Sequence, residues 1–190
     1  PEVAEGQPCV AVLASEHAEA LRLAAERFER DAYRVETTDD CTGLEFCGTA
    51  KNVGAIGSGI VEGLGEQRDQ EYRNARSVVF ARATVEMADL VVAVGGRRET
   101  ALGLAGVGDL LVTSLGGRNR QYGRAIGEGA TPTHALAAME GRGMTVEGVD
   151  SARDVHELAR RGGLDLPVHE AVYRVVHESA EPSSILEVVR

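Results

Sequence analysis

The spacing of apolar and polar positions along this chain changes at Asp40. Before it, residues 9–14 (CVAVLA) form a short apolar run of the buried-strand kind. Residues 16–30 place Ala18, Leu21, Ala25 and Phe28 on one stripe, which predicts a helix with Ser15 as its cap. Residues 33–38 (YRVETT) alternate as a strand does. Together they predict one strand–helix–strand unit. Parallel strands need cover on both faces, so a lone unit of this kind reads as the tail of a larger α/β domain.

After Asp40 no segment alternates as a strand, and helical spacing takes over. Asp40 or Thr42 caps a helix running through Lys51 to about Glu62. That stretch carries Gly43, Gly48, Gly54, Gly57, Gly59 and Gly63. Each glycine costs an isolated helix about 1 kcal/mol. The pattern therefore predicts a buried helix that other backbones or a ligand approach closely. A second long helix is predicted over 70–94, with Val78, Val79, Ala83, Met87, Leu90 and Val94 inward. The Gly-rich stretch 103–123 reads as short helices joined by tight turns. Pro132 opens a helix reaching Met139, and further helices are predicted near 146–161, 167–179 and 183–190. The fold class is mainly α: a helical domain over 41–190 behind a β-α-β unit over 1–40.

Charge narrows the partners. The net charge of -10 is spread along the sequence and argues against nucleic acid as a main partner. It leaves room for a phosphate ester, which needs only a local cationic pocket. No apolar run approaches the ~18–20 residues of a membrane span, so no membrane insertion is expected. The chain opens on Pro1 rather than Met, without a basic leader, and reads as a fragment or processed product. Cys9, Cys41 and Cys47 make an odd set without a CxxC pair, which predicts a reducing, cytoplasmic setting and no metal.

Four groups carry candidate chemistry. Lys51 is the one lysine of the chain; every other basic position is arginine. Lysine can release its proton when desolvated and arginine effectively cannot, so Lys51 is a candidate proton-transfer group, with Asn52 beside it as donor and acceptor. Asp109, in GVGDLLVT, is either the N-cap of the following helix or a carboxylate that holds Lys51 or a substrate hydroxyl. Thr113 lies one turn on. Gly116-Gly117-Arg118-Asn119-Arg120 is either an ordinary turn or an anion cradle of backbone N–H groups and guanidinium. Thr145-Val146-Glu147-Gly148 reads locally as a capping segment. Gly57-x-Gly59-x-x-x-Gly63 imitates a dinucleotide fingerprint but follows no strand. The five histidines form no nucleophile–base constellation.

In order, CGTAKNVGAIGSGIVEGLG, GLAGVGDLLVT, GRNRQYG and TVEGV resemble the C-terminal half of the NAD(P)-dependent glycerol-3-phosphate dehydrogenases. The resemblance implies an all-α, 6-phosphogluconate-dehydrogenase-like C-terminal domain over 41–190, and over 1–40 the end of a Rossmann-type domain. It implies hydride transfer between NAD or NADP and the pair dihydroxyacetone phosphate and sn-glycerol 3-phosphate, with Lys51 as general acid/base. Asn52, Asp109, Thr113, Arg118 and Asn119 correspond to substrate-binding positions. Arg118, Val146 and Glu147 correspond to positions bordering the cofactor. Ala4 corresponds to the end of a G-P-x-x-A segment near the nicotinamide. A helical domain of this type often pairs as a homodimer. The family often has serine where Gly117 stands, and Glu66–Tyr72 resembles a small insertion. The rival readings are a related hydroxy-acid dehydrogenase and a non-enzymatic phosphometabolite-binding or dimerisation module.

Overall fold

The computed structural model describes residues 2–190. Strand β1 (Cys9–Ala14), helix α1 (Ala18–Phe28) and strand β2 (Tyr33–Thr38) form the β-α-β unit, and the strands pair in parallel from Cys9–Tyr33 to Ala14–Thr38. Two details differ from the sequence reading. His17 stands at the N-cap of α1, and Ser15 instead accepts the His17 N–H at 3.1 Å. No residue of α1 is buried, and Phe28 is 59% exposed. Among the described residues the sheet has two strands, too narrow a surface to bury that stripe.

Everything after Asp40 is helical. The elements are α2 (Cys41–Gln67), α3 (Arg73–Ala93), α4 (Arg98–Leu102), a π-helical turn (Leu104–Gly108), α5 (Asp109–Gly116), α6 (Arg118–Gly127), α7 (Pro132–Glu140), α8 (Gly148–Gly162) and α9 (Pro167–His177). The last predicted helix is a 3-10 segment, Pro182–Val189. Val78, in the second turn of α3, and Val94, its C-cap, both expected inward, are half-buried, while Val79, Ala83, Met87 and Leu90 are in the core. Among the described residues no helix is long and apolar enough to cross a membrane.

Helix α2 runs through the centre of the domain, buried on nearly every side from Asn52 to Gly65. A helix buried all round must be apolar or small all round, which its composition supplies. Gly59 and Gly63 face α6, while Gly57 faces Val172 and Ile185 and Gly54 faces Leu110 and Ala83. A Cβ at Gly59 or Gly63 would overlap the carbonyl oxygens of Arg120 or Arg124, and one at Gly123 or Gly127 those of Ile56 or Ile60. The two helices thus meet backbone to backbone, through glycines contributed by both. This is what the false dinucleotide fingerprint encodes.

The junction at Asp40 is equally specific. Asp40, not Thr42, caps α2: its carboxylate accepts the Gly43 N–H (2.9 Å), the Arg97 N–H (2.9 Å) and the Thr100 hydroxyl (2.6 Å). Arg97 also reaches Thr38 and Asp39, tying the end of β2 to α4. Burial by itself would raise the Asp40 carboxyl. The Thr100 hydroxyl and the Arg97 and Gly43 N–H groups, with the Arg97 charge, outweigh it and hold the carboxyl below its ordinary range.

Two stability predictions result. Gly123→Ala should cost about 3 kcal/mol in urea unfolding, because the added methyl must push α2 and α6 apart. A depressed folded-state pKa stabilises above the unfolded value near ~3.9 and is lost as pH falls through the folded value. Asp40→Asn should therefore cost about 2 kcal/mol at pH 7. The gap should narrow in urea titrations run at about pH 3; a gap unchanged by acid would refute the carboxylate's role.

Candidate functional site

Lys51 projects from α2 near the rim of the core, one turn after Cys47, with 20% of its side chain exposed. Its Nζ donates to Asp109 Oδ2, the carboxylate at the first position of α5. This pairing decides between the two readings of Asp109. The π-helical turn runs straight into α5, and the Gly108 and Asp109 N–H groups already reach carbonyls of Gly103, Leu104 and Gly106. No vacant cap position exists there, and the carboxylate turns to the lysine. Thr113, one turn on, makes only a long contact to Asp109 Oδ1 at 3.5 Å. The Cys47 thiol is pushed up to about 11, by burial first and then by the Asp40 and Asp109 charges, so it stays protonated beside the lysine.

The other polar group is built on Asn52. Its Oδ1 accepts from Asn119 Nδ2 at 2.8 Å, and Asn119 Oδ1 accepts the Gly148 N–H at 2.9 Å. Both asparagines are buried. The chain α2–α6–α8 is thereby closed by two hydrogen bonds next to Lys51. Asn119, predicted to touch substrate, spends both ends of its amide on this lock. Asn52 keeps its own NH2 group for the site. The backbone donor of Gly148 is a contributor that local sequence did not reveal, since its partner lies 29 residues away.

The Gly-Gly-Arg-Asn-Arg stretch divides. Gly117 precedes α6 and no side chain caps that helix, so its first N–H groups remain directed outward at its positive end. A Cβ at Gly117 would sit 2.7 Å from the Thr113 carbonyl oxygen, so glycine fits this tight junction. Arg118 stays half exposed at this end. It donates to Thr145 Oγ1 at 2.9 Å and lies 3.6 Å from Glu147 Oε1. Arg120 turns away to a largely buried ion pair with Glu62 at 2.5 Å. The structure thus brings Lys51, Asn52, Asp109, Arg118, Asn119 and Glu147 into one constellation, with Thr113 at its edge. Val146 is buried in the core. Ala4 lies exposed in the turn before β1, while its neighbours Glu2 and Val3 line a groove of about 620 Å³ that ends at Asp109 and Val112. Pro1, the start of the G-P-x-x-A comparison, falls outside the described residues.

The fold is thus a helical domain behind a parallel β-α-β unit, with a lysine–carboxylate pair between α2 and α5 and an uncapped N-terminus on α6. Residues 40–187 match the family described as the NAD-dependent glycerol-3-phosphate dehydrogenase C-terminus, and the chain belongs to that family. It is 36% identical over 188 residues to the glycerol-3-phosphate dehydrogenase (NAD(P)+) of Coxiella burnetii strain Dugway 5J108-111, covering 98% of this chain and 54% of the relative. It is 35% identical over 186 residues to the NADP(+)-dependent glycerol-3-phosphate dehydrogenase of Archaeoglobus fulgidus, covering 97% and 56%. The crystal structure of glycerol-3-phosphate dehydrogenase from Coxiella burnetii superposes with a TM-score of 0.90 at 36% identity, over 99% of this chain and 56% of that one. The Saccharomyces cerevisiae enzyme superposes at 0.85 with 26% identity, over 100% and 56%. The chain spans about half the length of the curated relatives it matches.

The Asn52–Asn119–Gly148 lock is directly testable. Asn119→Leu strands the buried Asn52 Oδ1 and Gly148 N–H, and should lower unfolding stability by about 2 kcal/mol in a denaturant titration. A loss below ~0.5 kcal/mol, the size of an ordinary surface substitution, would show that the lock is dispensable.

Proposed function

We propose that this chain supplies the substrate-binding and proton-transfer part of a glycerol-3-phosphate dehydrogenase that interconverts dihydroxyacetone phosphate and sn-glycerol 3-phosphate. The observation that carries the reading is the Lys51–Asp109 pair standing beside the uncapped start of α6. Reducing a ketone places negative charge on its oxygen. The Lys51 ammonium stabilises that charge and then gives it a proton. In the opposite direction the neutral amine takes the hydroxyl proton. Asp109 aims the ammonium, and the free NH2 of Asn52 offers a second donor to the same oxygen. The Arg118 guanidinium and the α6 N–H groups suit a phosphate, and anchoring it fixes the carbonyl in register with Lys51.

NAD or NADP, when bound, supplies or takes up the hydride. The residues present fit one end of such a cofactor: Arg118 and Glu147 at one side, the groove behind Glu2 and Val3 at the other, with Ala4 and the Val146 backbone as further contacts. Among the described residues no glycine-rich strand-to-helix turn is present to serve its phosphates. A cytoplasmic location goes with this reading, supported by three cysteines without a disulfide. The family match favours the dehydrogenase over a non-enzymatic binding module.

In the full-length protein, Lys51→Ala should lower kcat for dihydroxyacetone phosphate roughly 1000-fold while its KM stays within a few-fold. Absorbance at the nicotinamide band follows the reaction. Near-normal turnover in that variant, or no preference for dihydroxyacetone phosphate over unphosphorylated hydroxyketones and hydroxy acids, overturns the proposal.

A further inference from the structure

Glu86 and His169 form a buried pair that the chemistry above leaves unused. Glu86, on α3, and His169, on α9, are 4% and 3% exposed. Glu86 accepts the Val168 and His169 N–H groups at 2.9 and 3.0 Å, capping α9 from a neighbouring helix. Its Oε2 also meets His169 Nδ1 at 2.7 Å. The other ring nitrogen, Nε2, lies 3.3 Å from the carbonyl oxygen of Ala50. The two ring nitrogens thus face two oxygens on opposite sides, one on Glu86 and one on the α2 backbone. The Ala50 carbonyl belongs to the peptide unit whose nitrogen is that of Lys51. Polar groups so far from water are retained at a cost unless their partners are fixed.

We infer that His169 is a positioning residue for Lys51: held by Glu86, it clamps the peptide that enters the lysine and so fixes where the ammonium points. The inference rests on the dehydrogenase reading of Lys51. The next residue, Asn52, is held by Asn119, and Nζ itself by Asp109. His169 completes the set on the side away from the substrate. Without it, α2 keeps its own helical bonds at Ala50 but loses the outside restraint on that turn. Small misplacement of a catalytic group costs rate much more than it costs binding.

Two variants of the full-length protein separate positioning from mere packing. In His169→Asn the amide reaches Glu86, in place of Nδ1, but not Ala50. In His169→Gln the longer side chain reaches Ala50, in place of Nε2. We expect His169→Asn to lose roughly tenfold in kcat with KM for dihydroxyacetone phosphate within twofold, and His169→Gln to restore kcat to within about threefold of the parent. Equal kcat in all three proteins overturns the inference. So does an equal loss in both variants, or unfolding of His169→Asn at the assay temperature, since each would make the contact one of stability only. Lys51→Ala, assayed alongside, reports on the parent reading separately: if it stays active the dehydrogenase assignment fails, and if it is inactive while His169→Asn is not, only the positioning role fails.

Discussion

The distance between α2 and α6 governs the site. Lys51 and Asn52 stand on one helix, Arg118 and Asn119 on the other, and the two backbones touch through Gly59, Gly63, Gly123 and Gly127. With side chains of ordinary size between them, helices pack 8–10 Å apart. Here the glycines let the two backbones meet more closely, beside the 2.8 Å bond between Asn52 and Asn119. The glycines are costly in helix propensity, and tertiary contact offsets that cost because the paired surfaces are continuous and buried. The same contact makes α6 a rigid support, so its open N-terminus stays in fixed relation to the lysine.

Much of this was legible in the sequence because it is local. Strand spans, the long central helix, the Asp40 cap and the helices opened by Pro132 and Pro167 follow from period, capping chemistry and proline, all read within a few residues. Lys51 stood out by composition, and the glycines of α2 announced close approach. The remainder depended on partners far along the chain. Asp109 could be a cap or an ion-pair partner, and only the π-helical turn, which satisfies the start of α5 from behind, removes the first choice. Arg118 and Arg120 are two residues apart on a helix and point in different directions, one to Thr145 and one to Glu62. The α1 stripe is a sound amphipathic pattern without enough sheet beneath it. His169 was invisible as a participant, since its partners are 83 and 119 residues away.

The site also divides its polar groups between holding and acting. Asn119 is held at both ends of its amide by Asn52 and Gly148, and Arg120 by its ion pair with Glu62. Such groups resist movement because an unpaired buried partner costs about 1–3 kcal/mol. Lys51, Asp109, Arg118 and the NH2 of Asn52 keep exposed surface or free valence. On the proposed function, a phosphate at Arg118 would compete with Glu147 at 3.6 Å, a weak partner that is 64% exposed, so little would be lost on exchange.

On the proposed function, the choice of lysine at position 51 follows from the same division. An arginine there could match the Asp109 carboxylate with two parallel bonds, a stronger and better-oriented pair than lysine forms. It would also be inert, because a guanidinium does not give up its proton in a protein. Lysine is the weaker partner and the only one of the two that can alternate between donor and acceptor. Its pairing with a carboxylate that is 43% exposed keeps solvent near the ion pair and moderates the attraction. A fully buried pair would hold the ammonium too tightly to exchange a proton with a bound hydroxyl. In a chain that uses arginine at every other basic position, the single lysine therefore suits the proton-transfer role we propose for it, which charge alone would not require.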